Sequence, residues 1–167
     1  MRTAASAVRG SVLVEFALVG IPLMLISTAT AVVSLDMWQY HTLAYSTQAT
    51  TRYVSLHGRS CTQDGSSCIV TVGDVARYFI GHALALEASK TNVTLQSASQ
   101  TITCNPVSTC TGNTVQFPNA NDNGLNFDVT VKAYYAITNP TPLVLPGVSA
   151  GPATFNLFAI SRQRITY

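Results

Sequence analysis

Between Glu15 and Asp36 the chain runs for 20 residues without a charge, FALVGIPLMLISTATAVVSL, from Phe16 to Leu35. As an α-helix rising about 1.5 Å per residue, this run covers roughly 30 Å, the thickness of a bilayer's hydrocarbon core. Arg2 and Arg9 precede it with no acid before Glu15, and basic residues stay on the cytoplasmic side of a span. The N-terminus is therefore expected in the cytoplasm and everything after Asp36 outside. A cleaved secretory signal is the rival reading, with Ala29-Thr30-Ala31 as a loose exit site. Its apolar region is usually 7–15 residues long, shorter than this run, and it has no use for Glu15.

Charged residues make up 10% of the 167 residues, against about 25% in soluble domains. Hydrophobic residues make up 47%, which excludes a disordered chain. Nine bases and seven acids leave a net charge of +2, too little for a large cationic stripe, so nucleic acid is not an expected partner.

Glu15 is the chemically loaded residue of the apolar segment. A carboxylate at mid-bilayer costs about 2.5–3.5 kcal/mol on insertion scales, which makes an intramembrane acid a functional candidate. Six positions after Arg9, it can still snorkel to the cytoplasmic face. Its context is RGSVLVEF, residues 9–16: a basic leader ends in Arg9-Gly10, Ser11 follows, and the acid stands fifth after the glycine. This arrangement resembles the processing site of the type IV pilin superfamily, in which a prepilin peptidase cuts after glycine and leaves a fifth-position glutamate. The resemblance implies cleavage between Gly10 and Ser11 and a new cationic amine on Ser11. It also implies that this amine pairs with Glu15 of a neighbouring subunit in an apolar filament core, where an unpaired charge is heavily penalised. Pro22 removes one helical hydrogen bond inside the span, and pilin-type helices often carry a proline there.

Beyond the span, Trp38, Tyr45, Ala49, Tyr53 and Leu56 recur at helical spacings up to a stop at Gly58. Val14-Glu15-Phe16-Ala17-Leu18, Ala49-Thr50-Thr51-Arg52-Tyr53 before Cys61, and the closing Leu157-Phe158-Ala159-Ile160-Ser161 resemble the TadE-like family, the pseudopilins of the tight-adherence (Flp, type IVb) pilus system. Arg162 and Arg164 depart from that family's more apolar ending and leave the pairing of the last strand open. The resemblance implies a leader over 1–10, a membrane helix over 11–36 and a periplasmic domain over 37–167. The expected partners are the bacterial inner membrane, a prepilin peptidase, other pilins and pseudopilins, and the pilus assembly platform. The implied role is that of a minor pseudopilin in pilus assembly and surface adhesion. The alternative is a signal-anchored periplasmic binding domain with no filament role.

Cys61, Cys68, Cys104 and Cys110 all follow the span, as suits two disulfides in an oxidising compartment. Three pairings are possible; Cys61–Cys68 and Cys104–Cys110 are favoured because each closes a short turn-rich loop. The intervals between them are unlike the tight C-x2–4-C of zinc knuckles, and no metal or other cofactor is expected. Neither G-x-S-x-G, H-E-x-x-H nor a glycine-rich phosphate loop occurs. His41, His57 and His82 lack acid partners at useful spacing, so the chain reads as a peptidase substrate, not an enzyme. Asn92-Val93-Thr94 matches a glycosylation sequon, without meaning in a bacterial periplasm.

For the exported part, Asp74 is expected to cap a helix running to about residue 88, with Val75, Tyr78, Phe79, His82, Ala83 and Leu86 on its apolar stripe. His82 there is expected to be a satisfied core histidine. Strands are expected at 92–98, at 127–137 by strict alternation, and at 154–164, with an exposed loop over 105–124 and a Pro/Gly-rich connection from Pro140 to Pro152. The fold class expected is α+β and pilin-like: a long N-terminal helix whose outer half packs on a small antiparallel sheet, with one shorter helix.

Overall fold

The computed structural model describes residues 5–57, 69–138 and 154–166, with side chains from Val12 onward in the first stretch. Gly58, the Cys61–Cys68 pair and the Pro140–Pro152 connection lie outside the described residues. The architecture is α+β: α1 (Ala5–Leu56), α2 (Val72–His82), then β1 (Thr91–Gln96), β2 (Thr101–Cys104), β3 (Asp128–Thr138) and β4 (Thr154–Arg164). The chain divides into two compact units, Met1–Trp38 and Gln39–Tyr167.

In the first unit α1 runs through Pro22 without interruption. Ser27, Thr28, Thr30 and Ser34 turn their hydroxyls back onto carbonyls three or four residues earlier, at 2.8–3.1 Å. Hydroxyls satisfied in this way add no unpaired polar group to an apolar surface. Phe16 and Met24 are 74% and 71% exposed, and their large apolar neighbours are exposed as well.

In the second unit the four strands form one antiparallel sheet in the order β2-β1-β3-β4. β3 and β4 pair over their full 11 residues, from Asp128↔Arg164 to Thr138↔Thr154, which settles the pairing that Arg162 and Arg164 had left open. Both arginines reach Asp128, at 2.6 and 3.6 Å. The alternation expected of β3 holds: Val129, Val131, Ala133, Tyr135 and Ile137 are buried. They join Val93 and Leu95 of β1, Val75 and Phe79 of α2, and Leu43 and Val54 of α1 in one core. Phe127 stands outside the strand and is 38% exposed, because the chain bulges at Asn126. The φ of +69° there is tolerated by asparagine.

The outer half of α1 buries a different face from the one its large side chains suggest. Trp38, Tyr45 and Leu56 are exposed, whereas Leu43, Ser46, Thr47, Thr50, Thr51, Val54 and Ser55 are buried. This stripe recurs every three to four residues and is mostly hydroxyl-bearing. Thr47 and Thr51 donate to the carbonyls of Leu43 and Thr47 at 2.7 and 2.8 Å, and Ser55 reaches Gln163 of β4. Small side chains whose hydroxyls bond back to their own helix are buried at little polar cost. Thr50 is the exception, its buried hydroxyl having no hydrogen-bond partner among the described residues.

α2 starts and ends earlier than expected. Its N-cap is Thr71, with Asp74 as the third helical residue of a capping box. The Thr71 hydroxyl and the Arg77 guanidinium hold the Asp74 carboxyl down at about 2. All four leading N–H groups are satisfied: Val72 and Gly73 donate to the Val115 and Asn113 carbonyls, Asp74 to the Thr71 hydroxyl and Val75 to the Thr71 carbonyl. The helix stops at His82 because two turns, over 83–86 and 87–90, carry the chain into β1. At Gly73 a Cβ would meet the carbonyl oxygens of Thr111 and Asn113 at 2.8 Å. Both are backbone atoms that cannot swing away, so Gly73→Ala should cost about 2 kcal/mol. The urea midpoint of the full chain should fall with the m-value unchanged, and an unaltered midpoint would show that this seam can spread.

The segment 105–124 is not the exposed loop its composition suggests. A short 3-10 helix, Val107–Cys110, lies in it, and Val107, Phe117, Asp122 and Asn123 are buried. Asp122 is the organising group. Its Oδ2 accepts from the Ser97 hydroxyl, the Ser99 amide and the Ser99 hydroxyl at 2.7–2.8 Å. Burial alone would push its carboxyl up, but these three donors together hold it below the ordinary range.

Candidate functional site

In the N-terminal unit the site predicted from sequence lies in α1. Gly10 and Ser11 are helical, and Glu15 is an exposed residue among exposed Val12, Leu13, Val14 and Phe16. From Val12 onward α1 is long and apolar enough to cross a membrane, and its apolar stretch is exposed among the described residues. Water does not tolerate so large an uncovered apolar surface. A bilayer or a bundle of similar helices removes it from water, and Glu15 is the single ionisable residue between Arg9 and Asp36 that would go with it.

In the second unit Cys104 and Cys110 form a disulfide, as the short loop between them favours. Both are buried, and Cys104 is the last residue of β2. The bond therefore ties the sheet's short edge strand to the 3-10 helix that packs beside α2.

The histidines fall into two kinds. His41 is exposed, its ring 5.9 Å from that of Tyr40. His57 and His82 instead close the two ends of a ring ladder. Tyr53 and Tyr78 stack at 4.2 Å, His57 lies 4.3 Å from Tyr53, and His82 stacks on Tyr78 at 4.2 Å. Each histidine Nδ1 sits 2.7–2.9 Å from the carbonyl four residues earlier, Tyr53 or Tyr78, so Nδ1 carries the hydrogen that it donates. The repeated Tyr-x-x-x-His spacing, on α1 and again on α2, was the available sequence signal for this ladder. Burial, and then nearby Asp74, pushes the Tyr53 phenol up, keeping it neutral between the helices. The ladder fastens α2 to the outer half of α1. His82 is half-buried and satisfied, as expected of a core histidine. Among the described residues no three of His, Cys, Asp and Glu converge as metal ligands do.

Sequence reasoning missed two surfaces. The first is the buried hydroxyl stripe of α1, which carries no large apolar residue to betray it. The second is the outer face of β3 and β4, where Tyr134 and Phe158 pair at 4.8 Å beside exposed Ile160.

No protein-family model, curated protein or solved structure matches the chain.

Proposed function

We propose that this chain is a minor pseudopilin of the TadE-like type, cut by a prepilin peptidase between Gly10 and Ser11 and used in assembling a type IVb pilus for surface adhesion. The observation that carries this reading is Glu15. It stands fifth after Gly10, at the head of an apolar helix whose large side chains are exposed among the described residues. A subunit of this kind enters the inner membrane with its N-terminus in the cytoplasm and the unit from Gln39 onward in the periplasm. The apolar helix serves twice, first as the anchor in lipid and then as the packing element among neighbouring pilins on the assembly platform. Cleavage supplies the Ser11 amine, and that amine meets the Glu15 carboxylate of the next subunit. In this role the chain is a substrate and a building block, not a catalyst.

Mass spectrometry of the protein isolated from its native host tests the reading. The N-terminal peptide should begin at Ser11, and Gly10→Ala should leave the first ten residues attached. A native chain beginning at Met1, or near residue 32, would overturn it. Unchanged processing in Gly10→Ala would favour a plain signal-anchored periplasmic domain instead.

A further inference from the structure

β4 is an edge strand, and its geometry shows which of its groups are unused. The Ile165 N–H donates to the Phe127 carbonyl at 2.8 Å and the Ile165 carbonyl accepts from the Asn126 N–H at 3.1 Å, so both groups of Ile165 face β3 across the bulge. Antiparallel ladders alternate bonded and non-bonded pairs. In the β3–β4 register the bonded pairs are then Val129↔Gln163, Val131↔Ser161, Ala133↔Ala159 and Tyr135↔Leu157. The N–H and C=O groups of Asn156, Phe158, Ile160 and Arg162 therefore point away from β3. Among the described residues no backbone group outside the strand pairs with them.

Edges are ordinarily blunted by shortness, proline, lysine or a bulge. β2, at the other end of the sheet, is only four residues long. β4 has 11 residues with no proline, its charges are confined to Arg162 and Arg164 at its C-terminal end, and the bulge at Asn126 falls beyond its last pair. Phe158 and Ile160 flank the edge at 43% and 56% exposure. Nor does α1 close it: an open groove lies between Tyr40, Ala44 and Gln48 of α1 and the stretch Phe158–Arg162.

The charge around the edge selects what can lie there. β3 and β4 carry Lys132, Arg162 and Arg164 on their outer face against a single acid, Asp128, which both arginines share. A second copy of β4 would bring the same cations and no acid. We infer that the β4 edge receives an extended, acidic and apolar segment of a partner protein as a fifth antiparallel strand. Its carboxylates would lie beside Arg162 and Arg164, and its aliphatic side chains beside Phe158 and Ile160. The backbone ladder supplies affinity and the arginines fix direction and choice of partner. The inference concerns the second unit alone and does not depend on processing at Gly10.

The test uses the full chain in detergent micelles and the capped peptide Asp-Thr-Asp-Thr-Val-Thr-Val-Thr, with a counterpart in which lysine replaces both aspartates. Anisotropy of the labelled peptides should show the acidic one binding at least about tenfold tighter, since 1.4 kcal/mol is tenfold. Ile160→Pro deletes an outward N–H that β3 does not use. It should weaken binding about tenfold with the far-UV spectrum unchanged. Arg162→Glu, which leaves the backbone donors in place, should reverse the preference in favour of the lysine peptide. The inference is overturned if neither peptide binds, if both bind alike, or if Arg162→Glu leaves the preference untouched. Self-association of the chain that Ile160→Pro abolishes would identify a second copy as the occupant and overturn it equally.

Discussion

Glu15→Ala should cut incorporation of the chain into surface filaments at least about tenfold while leaving cleavage after Gly10 largely intact. The expectation follows from where the charge is used. In the proposed role, the chain at the processing step would be a monomer with its acid near the cytoplasmic face of the bilayer and the bond to be cut at Gly10-Ser11. At the proposed assembly step the helix would leave lipid and pack among other helices, where a cationic Ser11 amine without a counter-ion is heavily penalised. Removing the carboxylate strands that amine in every interface of the stack, so the effect multiplies along the filament. Quantifying the mature subunit in sheared filaments against the membrane fraction separates the two steps. Normal piliation in Glu15→Ala would refute the pairing, and loss of cleavage would move the role of Glu15 to peptidase recognition. Glu15→Gln, similar in shape without the charge, should fail at assembly as the alanine variant does.

Asp122→Ala should destabilise the Gln39–Tyr167 unit by about 3 kcal/mol, as much as truncating a large core side chain. It removes an ionised acceptor from three hydrogen bonds at once, and hydrogen bonds to charged groups are worth about 1.5–3 kcal/mol each before compensation. The Ser97 hydroxyl, the Ser99 amide and the Ser99 hydroxyl lose their common partner. The pH dependence has a definite sign. The native carboxyl titrates below its ordinary 3.8, so its contribution is complete above that value and is lost as pH falls through the lower native one. The stability gap between the native chain and Asp122→Asn, read from urea unfolding, should be constant above about pH 5 and shrink toward pH 2. A gap that widens on acidification would show that burial, not the three donors, dominates this carboxyl.

The stretches legible in sequence are those whose neighbours repeat with a fixed period. The apolar run from Phe16 to Leu35 could only be a helix of membrane length, and α1 contains it. The alternation from Val129 to Ile137 could only be a strand with one buried face. Thr154–Arg164 was bounded correctly as β4 by the Pro/Gly-rich stretch before it. The proposed N-terminal site is a purely local pattern, because glycine, glutamate and leader are adjacent in the chain and need no folding to be brought together.

What escaped reading depends on partners remote in sequence. β2 has four residues, too few for a period to show. α2 was placed a few residues late because Thr71 and Asp74 are both good caps, and the bonds of Val72 and Gly73 to the Val115 and Asn113 carbonyls decided between them. The segment 105–124 has the composition of a loop, yet Asp122 is buried because Ser97 and Ser99 satisfy it from more than 20 positions away. Polar atoms can be buried wherever donors converge, and convergence belongs to the tertiary structure alone. The same holds for the open edge of β4. Local sequence made it a strand, but only its place at the end of the sheet left its outward N–H and C=O groups without a neighbouring strand among the described residues.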